Sequence, residues 1–206
     1  MRIIEEAPAD FDSGYFTMQS QQGANSFKKV AHGLDEVPGR VKVMTVPTDG
    51  NNAGFVFEGV GAAQSDDDHG EYGGVIFGYD DTHVWMWAPD KSNNRDTGYI
   101  VNVADGWAGN HMHQSSHTAQ VRVLAWKDER DPPNAQTDWF DMVSDNHLSF
   151  IEQRLIFRDE HNREKYGADR VQVQVMAEDG NLNGVVFESM VRVPSDGGVD
   201  ISHALY

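Results

Sequence analysis

A chain of 206 residues with a net charge of −17 and no cysteine excludes several classes at once. No cationic stripe is available to neutralise phosphates, so nucleic acid is not an expected partner, and an anionic membrane surface is disfavoured on the same ground. Disulfides and thiol chemistry are closed to it, while 39% hydrophobic residues suffice for a packed core in one large or two small domains. Acidity of this size agrees equally with high solubility, with divalent cations or with a salty medium.

Residues 1–10, MRIIEEAPAD, carry no apolar signal core and read as a polar N-terminal arm; no stretch anywhere is long enough to span a bilayer. After an opening segment at 14–20, short alternating runs predict strands over 27–32, 41–46, 54–60, 74–79, 83–88, 98–103 and 120–126. Turn signals such as Asp80-Asp81-Thr82 and Asp105-Gly106 separate them. Helical periodicity is nearly absent. The pattern predicts an all-β antiparallel sandwich.

One stretch occurs twice. Residues 40–60, RVKVMTVPTDGNNAGFVFEGV, recur without a gap as residues 170–190, RVQVQVMAEDGNLNGVVFESM. Both copies read as two strands closed by Asp-Gly-Asn and a second Gly, residues that tolerate positive φ, with Val41, Val43 and Thr45 on the core side of the first and Phe57 and Phe187 returning to the core. A shorter match, GYFTMQS at 14–20 and DWFDMVS at 138–144, precedes each copy. The sandwich is therefore read as duplicated: a complete domain at 11–127, a charged Pro-Pro linker at 128–136, and an incomplete copy at 137–206. Half a sandwich leaves an open edge. The expectation is that the chain continues past Tyr206, or that another subunit or the first domain completes the second unit.

Three groups of residues carry candidate chemistry. Asp66, Asp67, Asp68 and Glu71 form a carboxylate run that reads as a solvated acidic loop or as oxygen ligands for Ca2+. His111, His113 and His117 form a polar loop or, if the first two share a strand face, a Zn or Cu site, with a metal-dependent enzyme as the most distant reading. Arg95, Tyr99, Asp105, Trp107 and His111 combine a flat aromatic with planar polar groups, the requirement for binding a sugar, although Trp107 is equally a core residue. Trp85, Trp87, Tyr99, Trp107 and Trp126 concentrate the aromatic surface, and because Trp85 and Trp87 share a strand face with His83, some of the five are expected in the core. No nucleophile elbow, phosphate loop, zinc-protease helix or dinucleotide fingerprint is present.

The order Asp12-Ser13-Gly14-Tyr15-Phe16, Phe27, His32-Gly33-Leu34, Pro38 before Val41-Lys42-Val43, and a closing Val121-Arg122-Val123-Leu124-Ala125-Trp126 resembles the H-type lectin domain of invertebrates over residues 11–127. The resemblance implies a six-stranded sandwich that assembles as trimers or hexamers and binds N-acetylgalactosamine-type sugars between protomers. The family's disulfides are missing, the loops at 66–71 and 89–98 are enlarged, and its sugar-contacting residues do not map onto numbered positions. The expected function is thus a secreted, non-enzymatic, carbohydrate-binding homo-oligomer needing no cofactor beyond possible Ca2+, with glycans as partners. The alternative is a structural or adhesive building block of an extracellular assembly.

Overall fold

The computed structural model describes residues 8–59, 70–93, 96–103, 114–127, 137–141, 157–158, 164–165, 173–188, 190–192 and 200–202. The protein is all-β. Its first strands are β1 (Phe11–Gln19), β2 (Phe27–Ala31), β3 (Arg40–Pro47), β4 (Phe57–Glu58), β5 (Gly70–Gly73) and β6 (Ile76–Tyr79). They are followed by β7 (His83–Trp87), β8 (Asp96–Tyr99), β9 (Val101–Val103), β10 (Gln114–Ser116) and β11 (Thr118–Trp126). Short strands β12 (Phe157–Arg158) and β13 (Glu164–Lys165) precede β14 (Gln174–Met176), β15 (Val186–Glu188), β16 (Met190–Arg192) and β17 (Asp200–Ser202).

The chain forms two compact units, residues 1–129 with 172–206, and residues 130–171. In the second unit β12 pairs antiparallel with β13. The first unit contains a four-stranded antiparallel sheet in the order β1-β11-β3-β4 and a five-stranded antiparallel sheet in the order β14-β15-β6-β7-β2. Two neighbouring strands of the first sheet show why. β3 alternates throughout between half-buried and buried positions, and β11 does so up to Ala125, so Val41, Val43, Val121 and Val123 all point to one side. Phe77, Tyr79, Val84 and Met86 of the other sheet join them in one buried apolar cluster. Each such side chain, fully withdrawn from water, contributes on the order of 1.5–3 kcal/mol.

The strands expected over 54–60 and 98–103 change most. The strand expected over 54–60 contracts to β4, because Gly54 lies at φ +85 and the amide of Phe55 is turned back onto Asn52 O at 3.0 Å. That expected over 98–103 divides at Ile100, whose N–H leaves the line to donate to Ser116 O at 2.9 Å. Of the five aromatics, Trp126 is a core residue, 4% exposed, whereas Trp85 and Trp87 are not. Val84 and Met86 take the core face of β7, and both tryptophans lie half-buried on the opposite face. There Lys29 Nζ sits 4.4 Å above Trp85, and Trp87 packs against Phe27 and Phe187 at 5.9 and 6.0 Å.

The two hairpins of the repeated stretch have the same geometry. In the first, Met44 is opposite Glu58 and Thr45 opposite Phe57; in the second, Gln174 is opposite Glu188 and Val175 opposite Phe187. Gly50 and Gly180 have φ of +68 and +67, and Gly54 and Gly184 of +85 and +83. Gly54 N–H donates to Pro47 O at 2.9 Å, as Gly184 N–H does to Ala177 O at 2.7 Å. The side-chain-free glycines permit this left-handed backbone at no steric cost.

The hairpins differ in their neighbours. β3 of the first lies against β11, and β4 is the outer strand of its sheet. The second inserts β15 beside β6, with Val186 opposite Tyr79, so residues from the distal part of the chain finish the sheet begun by the proximal part.

Candidate functional site

The first hairpin's loop organises a cluster at the bend between β10 and β11. The Asp49 carboxylate accepts from the backbone N–H of His117 through both oxygens at 3.1 Å and from that of Thr118 at 3.0 Å. Ser116 Oγ donates to Asp49 O at 2.9 Å. Gly50 lies so close to Ser115 that a Cβ would stand 2.7 Å from its carbonyl oxygen. This anchored bend presents the His117 ring at the surface, 4.8 Å from the Tyr99 ring, with Nδ1 3.3 Å from Ser20 Oγ. Tyr99 is in turn fixed through its backbone opposite Gly73 in the parallel pair of β5 and β8.

Of the residues expected to bind sugar, Tyr99 stands in this cluster, while Arg95, Asp105, Trp107 and His111 lie outside the described residues. Of the expected metal ligands, His117 is here. Asp66, Asp67, Asp68, His111 and His113 also lie outside, and Glu71 is placed by its backbone alone, opposite Thr97. Among the described residues no three His, Asp or Glu side chains converge as a metal site would need. His117 joins Tyr99, a neighbour that the spacing of histidines does not announce. Asp49 and Ser20, which sequence reasoning did not single out, hold the bend; the Asp-Gly loop signal pointed to Asp49 as a turn residue only.

Behind β4 runs a cleft of ≈ 180 Å³, lined among others by Thr45, Phe57, Glu58, Val75, Ile100 and Asn102. Thr45 Oγ1 and Asn102 Oδ1 are buried and have no hydrogen-bond partner. A buried polar atom without a partner costs about 1–3 kcal/mol. Thr45 occupies the third position of a valine stripe, and its hydroxyl was the one sequence signal of this feature.

The outer strand beside that cleft carries an apolar step. Phe55 and Val56 are 56% and 59% exposed, whereas their counterparts in the second hairpin, Val185 and Val186, are 2% and 3% exposed. The difference is the presence of β6. Val186 enters the core cluster, and Val185 and Phe187 cross Gly78, where a Cβ would meet them at 2.7 and 2.8 Å. Tyr79 Oη closes the contact, donating to Glu188 Oε1 at 3.1 Å and accepting from Gln174 Nε2 at 2.8 Å.

These features define an all-β protein in which one hairpin type occurs twice, once with its second strand at a sheet edge and once with that strand inside a sheet. No family model matches the chain, and no curated protein or solved structure matches it either.

Proposed function

We propose that this protein is a non-enzymatic building block of an extracellular multimeric assembly, made of duplicated β-sandwich repeats in which the hairpin of one repeat extends the sheet of another. The observation that carries the reading is the seat of β14 and β15 on β6: a hairpin with the register and loop of the β3–β4 hairpin is used to continue a sheet. Main-chain pairing at a sheet edge supplies affinity, and alternate side chains supply selectivity. Light scattering over a range of protein concentrations tests this. The expected result is a mass above the 23.0 kDa of one chain that rises with concentration; a single-chain mass throughout overturns it. Repeating the series in EDTA assigns or removes a role for Ca2+ at Asp66, Asp67, Asp68 and Glu71.

Carbohydrate binding, the function that the lectin resemblance implies, is a second reading favoured by the surface pairing of Tyr99 with His117. An aromatic face beside a polar ring suits the C–H and O–H groups of a sugar. A glycan array probed with the wild type and with Tyr99→Ala decides it: binding lost in a folded variant supports a site around Tyr99 with Arg95, Asp105, Trp107 and His111, and the absence of any bound glycan removes it.

A further inference from the structure

We propose that β4 and the adjoining Phe55-Val56 step are a docking edge for an antiparallel strand of the β6 type, with the order aliphatic, aromatic, glycine, tyrosine, presented by a second β-unit. This rests on the building-block reading and names the surface and the partner that reading requires.

The argument is an internal precedent. In the second hairpin, four consecutive residues make the contact with β6: Val185 and Phe187 over Gly78, Val186 beside Tyr79, and Glu188 under the Tyr79 hydroxyl. The first hairpin places Phe55, Val56, Phe57 and Glu58 at those positions, three of them identical. Register and loop geometry agree between the hairpins, so the four side chains leave the backbone in the same sequence of directions. In both, the aromatic at the third position pairs with the neighbouring strand of its own hairpin, Thr45 or Val175, and the valine before it faces the other way. For Val186 that other side is a core; for Val56 it is solvent. Glu58 bonds only to Lys42 Nζ among the described ion pairs, at 2.8 Å, and retains a second carboxylate oxygen for a tyrosine hydroxyl.

The partner's chemistry follows from what β6 supplies. A residue larger than glycine at the third place collides with the Phe55 and Phe57 side chains, as a Cβ on Gly78 would with Val185 and Phe187. Tyrosine at the fourth place brings a donor to Glu58. Phe55 in place of Val185 adds apolar area to the same contact.

The test uses the full chain and a labelled, end-blocked peptide of residues 74–80, Gly-Val-Ile-Phe-Gly-Tyr-Asp, followed by fluorescence anisotropy. Saturable binding is expected. It weakens about tenfold or more when Val56→Asp puts a carboxylate on the edge, and equally when the peptide carries Gly78→Val, while Val37→Asp, at an exposed apolar residue elsewhere, leaves it unchanged. Absent binding, or binding that Val56→Asp does not alter, overturns the docking edge. Light scattering of the same Val56→Asp chain separates this inference from the reading beneath it. Assembly that survives the substitution keeps the building block and discards this edge. Peptide binding by a chain that stays at single-chain mass keeps the edge and discards self-assembly.

Discussion

Asp12 shows how one exposed side chain ties two neighbouring strands, β1 and β11, together. Arg122 donates to it through Nε at 2.8 Å and through Nη2, and the Gly14 N–H adds a third bond at 2.9 Å. The Arg122 bonds, then the Gly14 amide, hold the Asp12 carboxyl down at about 2, against an ordinary 3.8. A depressed carboxylate stabilises the fold above the unfolded value and loses that contribution as pH falls through the folded one. The window is therefore 3.8 down to about 2. Both groups face solvent, so screening keeps the effect at the small scale of surface pairs. The Asp12→Asn chain should be less stable than the wild type above pH 3.8, and the two should converge as pH falls below 2. Urea midpoints across that range measure it; a gap that persists at the acid end assigns the loss to packing instead of charge.

The hairpin is the element on which sequence and structure can be compared most closely. Its loop was legible: Asp-Gly-Asn and a second Gly announced positive φ, and Gly50, Gly54, Gly180 and Gly184 all adopt it. The valine stripe was legible too, since a period of two leaves little choice of face once one side is buried. The neighbours of the hairpin were not legible. Val56 and Val186 occupy the same place in the same motif, and only a strand brought in from far along the chain makes one a core residue. Which of the five aromatics are core was not legible for a similar reason: Trp126 is, and Trp85 and Trp87 are not. Alternation showed that Trp85 and Trp87 share a face, but the smaller Val84 and Met86 on the other face are the ones in the buried apolar cluster. Most of the expected sugar and metal ligands lie outside the described residues, and Tyr99 and His117 meet through a backbone bend that local pattern does not encode. The loop itself yields a paired prediction. Gly50 and Gly180 share a left-handed backbone, so alanine at either costs roughly 1–2 kcal/mol in conformation. Only at Gly50 does the new methyl strike a carbonyl, Ser115 O, at 2.7 Å; around Gly180 the space is open. Gly50→Ala is expected to lower the denaturation midpoint distinctly more than Gly180→Ala, and equal losses would place Ser115 farther from the loop.

At the scale of the whole molecule, the first compact unit is built from two distant stretches, 1–129 and 172–206. Its five-stranded sheet closes only when β15 reaches β6, after the intervening residues have been looped out, and such a contact carries its loop-closure entropy before it returns any burial. If the distal hairpin is part of the unit's cooperative core, a charge placed at its buried valine is felt by the entire unit. Val186→Asp takes an unpaired carboxylate into the apolar cluster, a change whose cost reaches about 3 kcal/mol or more, or else the hairpin leaves the sheet and its burial is lost. Val56→Asp makes the same substitution at the same motif position on an exposed edge, where the expected change is within about 0.5 kcal/mol. Denaturant unfolding at a protein concentration too low for assembly compares them directly, followed by tryptophan fluorescence, to which Trp87 on its Phe187 contact contributes. A large, single-transition destabilisation for Val186→Asp alone establishes that residues beyond 172 hold the first unit together. Equal and small effects for both would mean that the hairpin rests on the sheet without supporting it, and that β6 is an edge the protein can afford to open.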